Sequence, residues 1–198
     1  MYKWILFALV TSSSLVLAQD VRDEDLGRQL ANDSTQKAAV ETIVASGRGK
    51  VPLLLKWTRT PPVQLDDIQR LIFRAGLADI FGRLKVEEAI PFLTENITQV
   101  RWPLGFGFVW KTPEAIEAQM PMVAALIQIG PAALDALVRA PYGPSVMEER
   151  LARIFVVSRA ASTAQDKGRA IQFLREAAAE ARLEGYWAGE GLKFIGAQ

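Results

Sequence analysis

Apolar residues return three and four positions apart along most of the chain: Val40, Ile43 and Val44; Ile68, Leu71, Ile72 and Ala75; Ile116, Met120, Val123 and Ile127; Leu151, Ile154, Phe155 and Val156. A helix turns once in about 3.6 residues, so this spacing puts each set on one face and predicts amphipathic helices. Start signals agree. Thr112-Pro113-Glu114 sets a cap, a first-turn proline and an early acid in order, and Ser145 with Glu148 reads as a capping box. Pro52, Pro91 and Pro131 each follow an apolar segment and a glycine-containing turn, where the first amides of a helix have no internal partner and a missing N–H costs nothing. The chain reads as helix, turn, helix, repeated, and the expected class is all-α.

Segments also recur. Ala89-Ile90-Pro91-Phe92-Leu93 returns as Ala170-Ile171-Gln172-Phe173-Leu174, with weaker copies at Val51-Pro52-Leu53-Leu54 and Leu134-Asp135-Ala136-Leu137. Aligning positions 52, 91, 135 and 172 gives intervals of 39, 44 and 37 residues, close to the roughly 40–47 of two- or three-helix repeat units. Gly47-Arg48-Gly49-Lys50-Val51 is echoed by Gly82-Arg83-Leu84-Lys85-Val86. One hairpin cannot bury both of its apolar faces, so stacking of neighbours is expected.

Leu77-Ala78-Asp79-Ile80-Phe81-Gly82-Arg83-Leu84, followed by Ala89 to Leu93, resembles a HEAT repeat of the short bacterial, bilin-lyase-like type, and Ala124 to Leu137 resembles it again. The resemblance spans about residues 36–184 and implies an α-solenoid, a right-handed superhelix of about four antiparallel helix pairs, commonly used as a binding platform. The chain departs from the pattern at 98–112, where an insertion lengthens the middle interval, and at both ends. The expected layout is a signal peptide over 1–18, an N-terminal capping segment over 19–35, the repeat domain over 36–184, and a C-terminal capping segment over 185–198. Gly185 is expected to end the last repeat helix, with Tyr186, Trp187, Leu192, Phe194 and Ile195 folding back as an apolar lid.

Composition narrows the function classes. Lys3, the apolar run Trp4 to Val10, and Val16-Leu17-Ala18 before Gln19 read as a secretory signal; Thr11 to Ser14 interrupt the apolar stretch, which falls short of the about 20 residues that span a bilayer. Removing 18 of the 198 residues leaves one domain's worth of chain, secreted or periplasmic, with no stable membrane span. Without Lys3 the 23 basic residues become 22, equal to the 22 acidic ones, and a balanced chain lacks the cationic surplus that nucleic acid requires. Cysteine and histidine are both absent, which removes disulfides, Ser-His-Asp and Cys-His nucleophile systems, and thiolate or imidazole metal sites. No metal and no cofactor is expected.

The candidate contact surface is the insertion Arg101-Trp102-Pro103-Leu104-Gly105-Phe106-Gly107-Phe108-Val109-Trp110-Lys111, the one stretch with strand-like alternation. Arg101, Trp102, Phe106, Phe108 and Trp110 there offer aromatic area to a protein or peptide partner, or fill a groove between helices as extra core. Arg48, Lys50, Arg83 and Lys85, with Lys167 and Arg169, form a basic ridge if equivalent turns stack along one edge; otherwise they complement helix C-termini. Asp66-Asp67, Glu87-Glu88 and Glu148-Glu149 invite a carboxylate-based hydrolase, but neighbours on a helix diverge and all three pairs fall near helix starts, where acids are expected anyway. Asn32-Asp33-Ser34 and Asn96-Ile97-Thr98 satisfy the glycosylation rule, which matters only in a eukaryotic secretory host. The expected function is a non-enzymatic protein-binding or scaffolding module of the cell envelope or secreted space. The alternatives are the hydrolase and a purely structural envelope protein.

Overall fold

The chain's polar caps decide where its helices begin. Asp66 accepts from the Gln69 amide at 2.8 Å while the Gln69 side chain takes the Asp66 amide at 3.1 Å, closing a capping box. Asn32 accepts from Ser34 N, and Thr112 from Ala115 N, the latter at the position expected from Thr112-Pro113-Glu114. Ser145 lies outside the described residues. The computed structural model describes residues 22–101, 110–139, 146–179 and 183–197, and among them every regular element is helical.

The helices are α1 over 22–30, α2 Asp33–Ala45, α3 Val51–Trp57, α4 Asp67–Arg83, α5 Ile90–Glu95, α6 Pro113–Gln119, α7 Pro121–Ile129, α8 Leu134–Arg139, α9 Val146–Ala161, α10 Gly168–Ala178 and α11 Leu183–Phe194. Three of the short helices are introduced the same way. A 3-10 turn precedes α3 (Gly47–Lys50), α5 (Glu87–Ala89) and α8 (Gly130–Ala133), with Pro52, Pro91 and Pro131 at the early positions that lose no hydrogen bond. Gly130, at φ 83, supplies the left-handed step between α7 and α8. It interrupts Pro121–Val138, a stretch long and apolar enough to cross a membrane by composition alone and half buried inside the fold.

Packing follows chain order. α2 lies on α4, α4 on α7, α7 on α9, and α9 on α11; the short helices α5, α8 and α10 also touch in succession. Polar contacts recur about one interval apart: the Gln36 amide donates to Ile72 O, Arg48 to Leu84 O at 3.3 Å and to Glu88 at 3.2 Å, and Arg83 to Glu41 at 2.7 and 2.8 Å. One continuous apolar cluster runs from Leu30 through Phe81, Val123, Leu126 and Phe155 to Ile195. Each such side chain, fully buried, contributes about 1.5–3 kcal/mol by transfer from water.

Three expectations are corrected. Ile68 and Leu71 share the helical period but are 68% and 40% exposed, because the first turns of α4 extend beyond its packed face; Phe73, Leu77, Ile80 and Phe81 are its core. Gly82, read as a turn residue, is inside α4. A Cβ there would lie 2.8 Å from Ala125 Cα, so its absence lets α4 approach α7, and Lys85 at φ 49 takes the left-handed turn instead. The bonds Val86 N to Phe81 O and Lys85 N to Gly82 O then close α4. Gly185 does not end a helix, since α11 runs through it; the same pair of bonds appears at Ala197 and Gly196, where α11 does stop.

Candidate functional site

α9 presents Phe155, Ser158 and Arg159 on one face, and α11 answers with Tyr186, Trp187, Glu190 and Phe194, spacings that line up one side of a helix. Gly191 makes the approach possible: a Cβ there would come within 2.8 Å of Ser158 Cβ. With Lys111, Thr112 and Pro113 at the entry to α6, these residues enclose a cleft of about 460 Å³.

Trp187 is the hub of an aromatic cluster. Its ring meets Trp110 at 6.2 Å, Phe155 at 5.9 Å and Tyr186 at 5.7 Å, all in edge-to-face arrangements that suit the ring quadrupoles. Its indole N–H is buried and meets no acceptor among the described residues. Arg159 sits over two rings, 4.1 Å from the Phe194 centroid and 5.3 Å from Phe155, and no carboxylate stands within ion-pair distance among the described residues. Tyr186 and Phe194 remain 61% and 51% exposed, so the cleft has an apolar, solvent-facing rim. Lys193 donates to Glu190 at 2.7 Å, and that contact raises the lysine pKa above its ordinary value.

A second groove of about 410 Å³ lies among α2, α4 and α7, where the charged and amide side chains of Gln36, Glu41, Asp79, Arg83, Arg101 and Gln128 meet. Arg101 places one nitrogen 3.0 Å from both Asp79 oxygens and another 3.3 Å from the Gln36 carbonyl. Burial pushes the Asp79 carboxyl above its ordinary range, and the Arg101 charge and hydrogen bond only partly oppose it. Glu41 is shifted the other way by its hydrogen bond from Arg83.

The expected site residues thus separate. Arg101 and Arg83 share the polar groove. Trp110 is 7% exposed and belongs to the core against Trp187. Trp102, Phe106 and Phe108 lie outside the described residues. Of the expected ridge, Arg48 pairs with Glu88 and donates to the carbonyls of Leu84 and Lys85 just after α4, Lys50 stands 3.6 Å from Asp23, and Arg83 is held by Glu41. Lys85 is exposed. Arg169 pairs with Asp135 at 2.8 Å. The ridge cations sit largely against acids and helix ends.

Four of the six paired carboxylates meet a helix start or an arginine. Asp66 caps α4, Asp67 meets Arg70, Glu88 meets Arg48, and Glu149 meets Arg153 at 2.5 Å. Among the described residues no group of three acids or other ligating side chains converges for a metal. Tyr186, Trp187 and Phe194 were legible as an apolar group; Arg159 was missed, and its only sequence signal is its place four residues after Phe155. No family model, no curated protein and no solved structure matches this chain.

Proposed function

We propose that this protein is a non-enzymatic binding or scaffolding module of the cell envelope or secreted space, built as a short HEAT-like solenoid, which holds a protein segment in the aromatic cleft of its last helix pairs. The observation that carries the reading is the cleft itself: exposed Tyr186 and Phe194 beside an arginine stacked on rings, with no carboxylate within ion-pair distance of it among the described residues. Such a site suits a partner that brings apolar area together with a carbonyl or carboxylate, and large aromatic and arginine side chains dominate binding energy at protein interfaces.

The helix order supports the solenoid. Long helices meeting in sequence, repeated 3-10 turns and polar contacts about one interval apart are what paired hairpins stacked in file produce. Export rests on the composition of residues 1–18, and sequencing of the native protein from Gln19 onward would support it.

The test places a photo-crosslinking residue at Tyr186 in the exported protein in its native host. A reproducible partner is expected, lost in Phe194→Ser and Arg159→Gln variants that keep the wild-type melting temperature. Recovery of the same partner from those variants contradicts the site. Turnover of a glycan panel that disappears on Glu87→Gln or Glu88→Gln supports the hydrolase instead.

A further inference from the structure

Three arginines line a different cleft, of about 620 Å³, between α4 and the segment that follows α3. Arg70 and Arg74 stand one helical turn apart on α4, and Arg59 reaches the same cleft from the loop. Among the described residues no Asp or Glu lines it. Arg70 donates to the carbonyl of Leu65, itself a lining residue, at 3.2 Å and meets exposed Asp67, which does not line the cleft, at 3.5 Å. For Arg59 and Arg74 no acid lies within ion-pair distance among the described residues. Below them Trp57 and Phe73, both buried, pack at 6.1 Å and give the cleft a rigid base.

Several arginines elsewhere are matched by acids. Arg28, Arg48, Arg83, Arg101 and Arg169 each have a carboxylate within 3.3 Å. Like charges one turn apart destabilise a helix, and of this pair Arg70 meets Asp67 while Arg74 has no acid within ion-pair distance among the described residues. Guanidinium forks present paired N–H donors that match the oxygens of a phosphate, and three forks around one cleft supply more donors than a single carboxylate accepts.

We propose that this cleft is an anion site for a phosphoryl group, carried by a small phosphate monoester or by an anionic lipid headgroup, with Arg59, Arg70 and Arg74 as its ligands. The cleft's volume leaves room for the ester substituent beside the phosphate. This site is separate from the aromatic cleft and does not depend on it.

Calorimetric titration of the exported protein with glycerol phosphate, at fixed ionic strength in chloride, tests the proposal. Flotation with vesicles containing phosphatidic acid forms the second arm. Saturable one-to-one binding is expected in at least one arm, weakened at least about tenfold in Arg59→Gln/Arg74→Gln, since charge-assisted hydrogen bonds to the anion are lost. Arg169→Gln, which removes a cation of the same kind from another surface, is expected to bind as wild type does. Binding in the first arm identifies a soluble ester, and binding only in the second a lipid headgroup. Saturation in neither arm overturns the proposal, as does undiminished binding by the double variant. Should the double variant lose its helical signal, exposed Arg59→Gln alone carries the same comparison.

Discussion

Replacing Gly82 by alanine sets two effects of opposite sign against each other. In an open helix interior the change stabilises by about 1 kcal/mol, because alanine is the better helix former. At Gly82 the new Cβ would stand 2.8 Å from Ala125 Cα and 3.2 Å from Ala125 Cβ, inside the about 3.5–4.0 Å that carbon atoms prefer. The Gln128 oxygen, also 2.8 Å away, can swing aside, but a backbone Cα cannot. α4 and α7 must then separate, loosening a contact lined by fully buried Ala78, Phe81 and Leu126. Overpacking of this kind costs about 1–3 kcal/mol, and a backbone contact belongs at the upper end. The net loss is about 2 kcal/mol, or roughly 4–8 °C in melting temperature for a chain of this size. Gly189→Ala is the reference: that glycine is inside α11 with nothing within 4 Å of its would-be Cβ, so the variant is expected to gain about 2–4 °C. Calorimetric melting of both variants decides the matter. Equal stabilisation by the two substitutions would refute the close approach of α4 to α7.

Three further outcomes follow from buried groups. Glu149→Ala leaves the 4% exposed Arg153 side chain without its closest carboxylate and is expected to cost about 3–5 kcal/mol in urea unfolding; a loss below about 1 kcal/mol would contradict the buried pair. Trp110→Ala removes a ring packed on Trp187 and is expected to cost about 3–5 kcal/mol with a parallel change in tryptophan fluorescence, whereas an exposed contact residue would cost little. Asp79 holds its proton to higher pH in the folded chain than in the unfolded one. Its contribution to stability is therefore present below the ordinary value of 3.8 and is lost as pH rises through the raised folded value. Wild type should accordingly lose stability relative to Asp79→Asn as pH rises through that window, and a difference that stays flat or shrinks would show that Arg101 outweighs burial.

The helices were legible because their signals are local. Period, prolines and caps such as Thr112 are written within a few residues of each other, and each needs only its own turn to form. What escaped the sequence depends on partners far along the chain. A glycine marks either a left-handed turn or a close approach, and only the neighbour distinguishes Gly130 from Gly82. The cations of the expected ridge read as unmatched until the fold brings Glu41 to Arg83 and Glu88 to Arg48, acids about 40 residues away in sequence. Arg159 gains its meaning from Phe194, which reaches it only after α11 folds onto α9. The three-arginine cleft shows the converse: Arg59 and Arg74 look ordinary in sequence, and the absence of lining acids appears only in three dimensions.

Helix pairs standing in file make one demand that a bundle around a shared centre does not, namely that the first and last pairs stay apart. The chain has no cysteine, so thiols can be introduced two at a time and bridged with a short bismaleimide. Glu41→Cys with Arg83→Cys, and Asp135→Cys with Arg169→Cys, join neighbouring pairs and should crosslink within one chain. Glu41→Cys with Arg169→Cys spans the stack and should not. Efficient bridging of that last combination in the folded monomer would contradict the account.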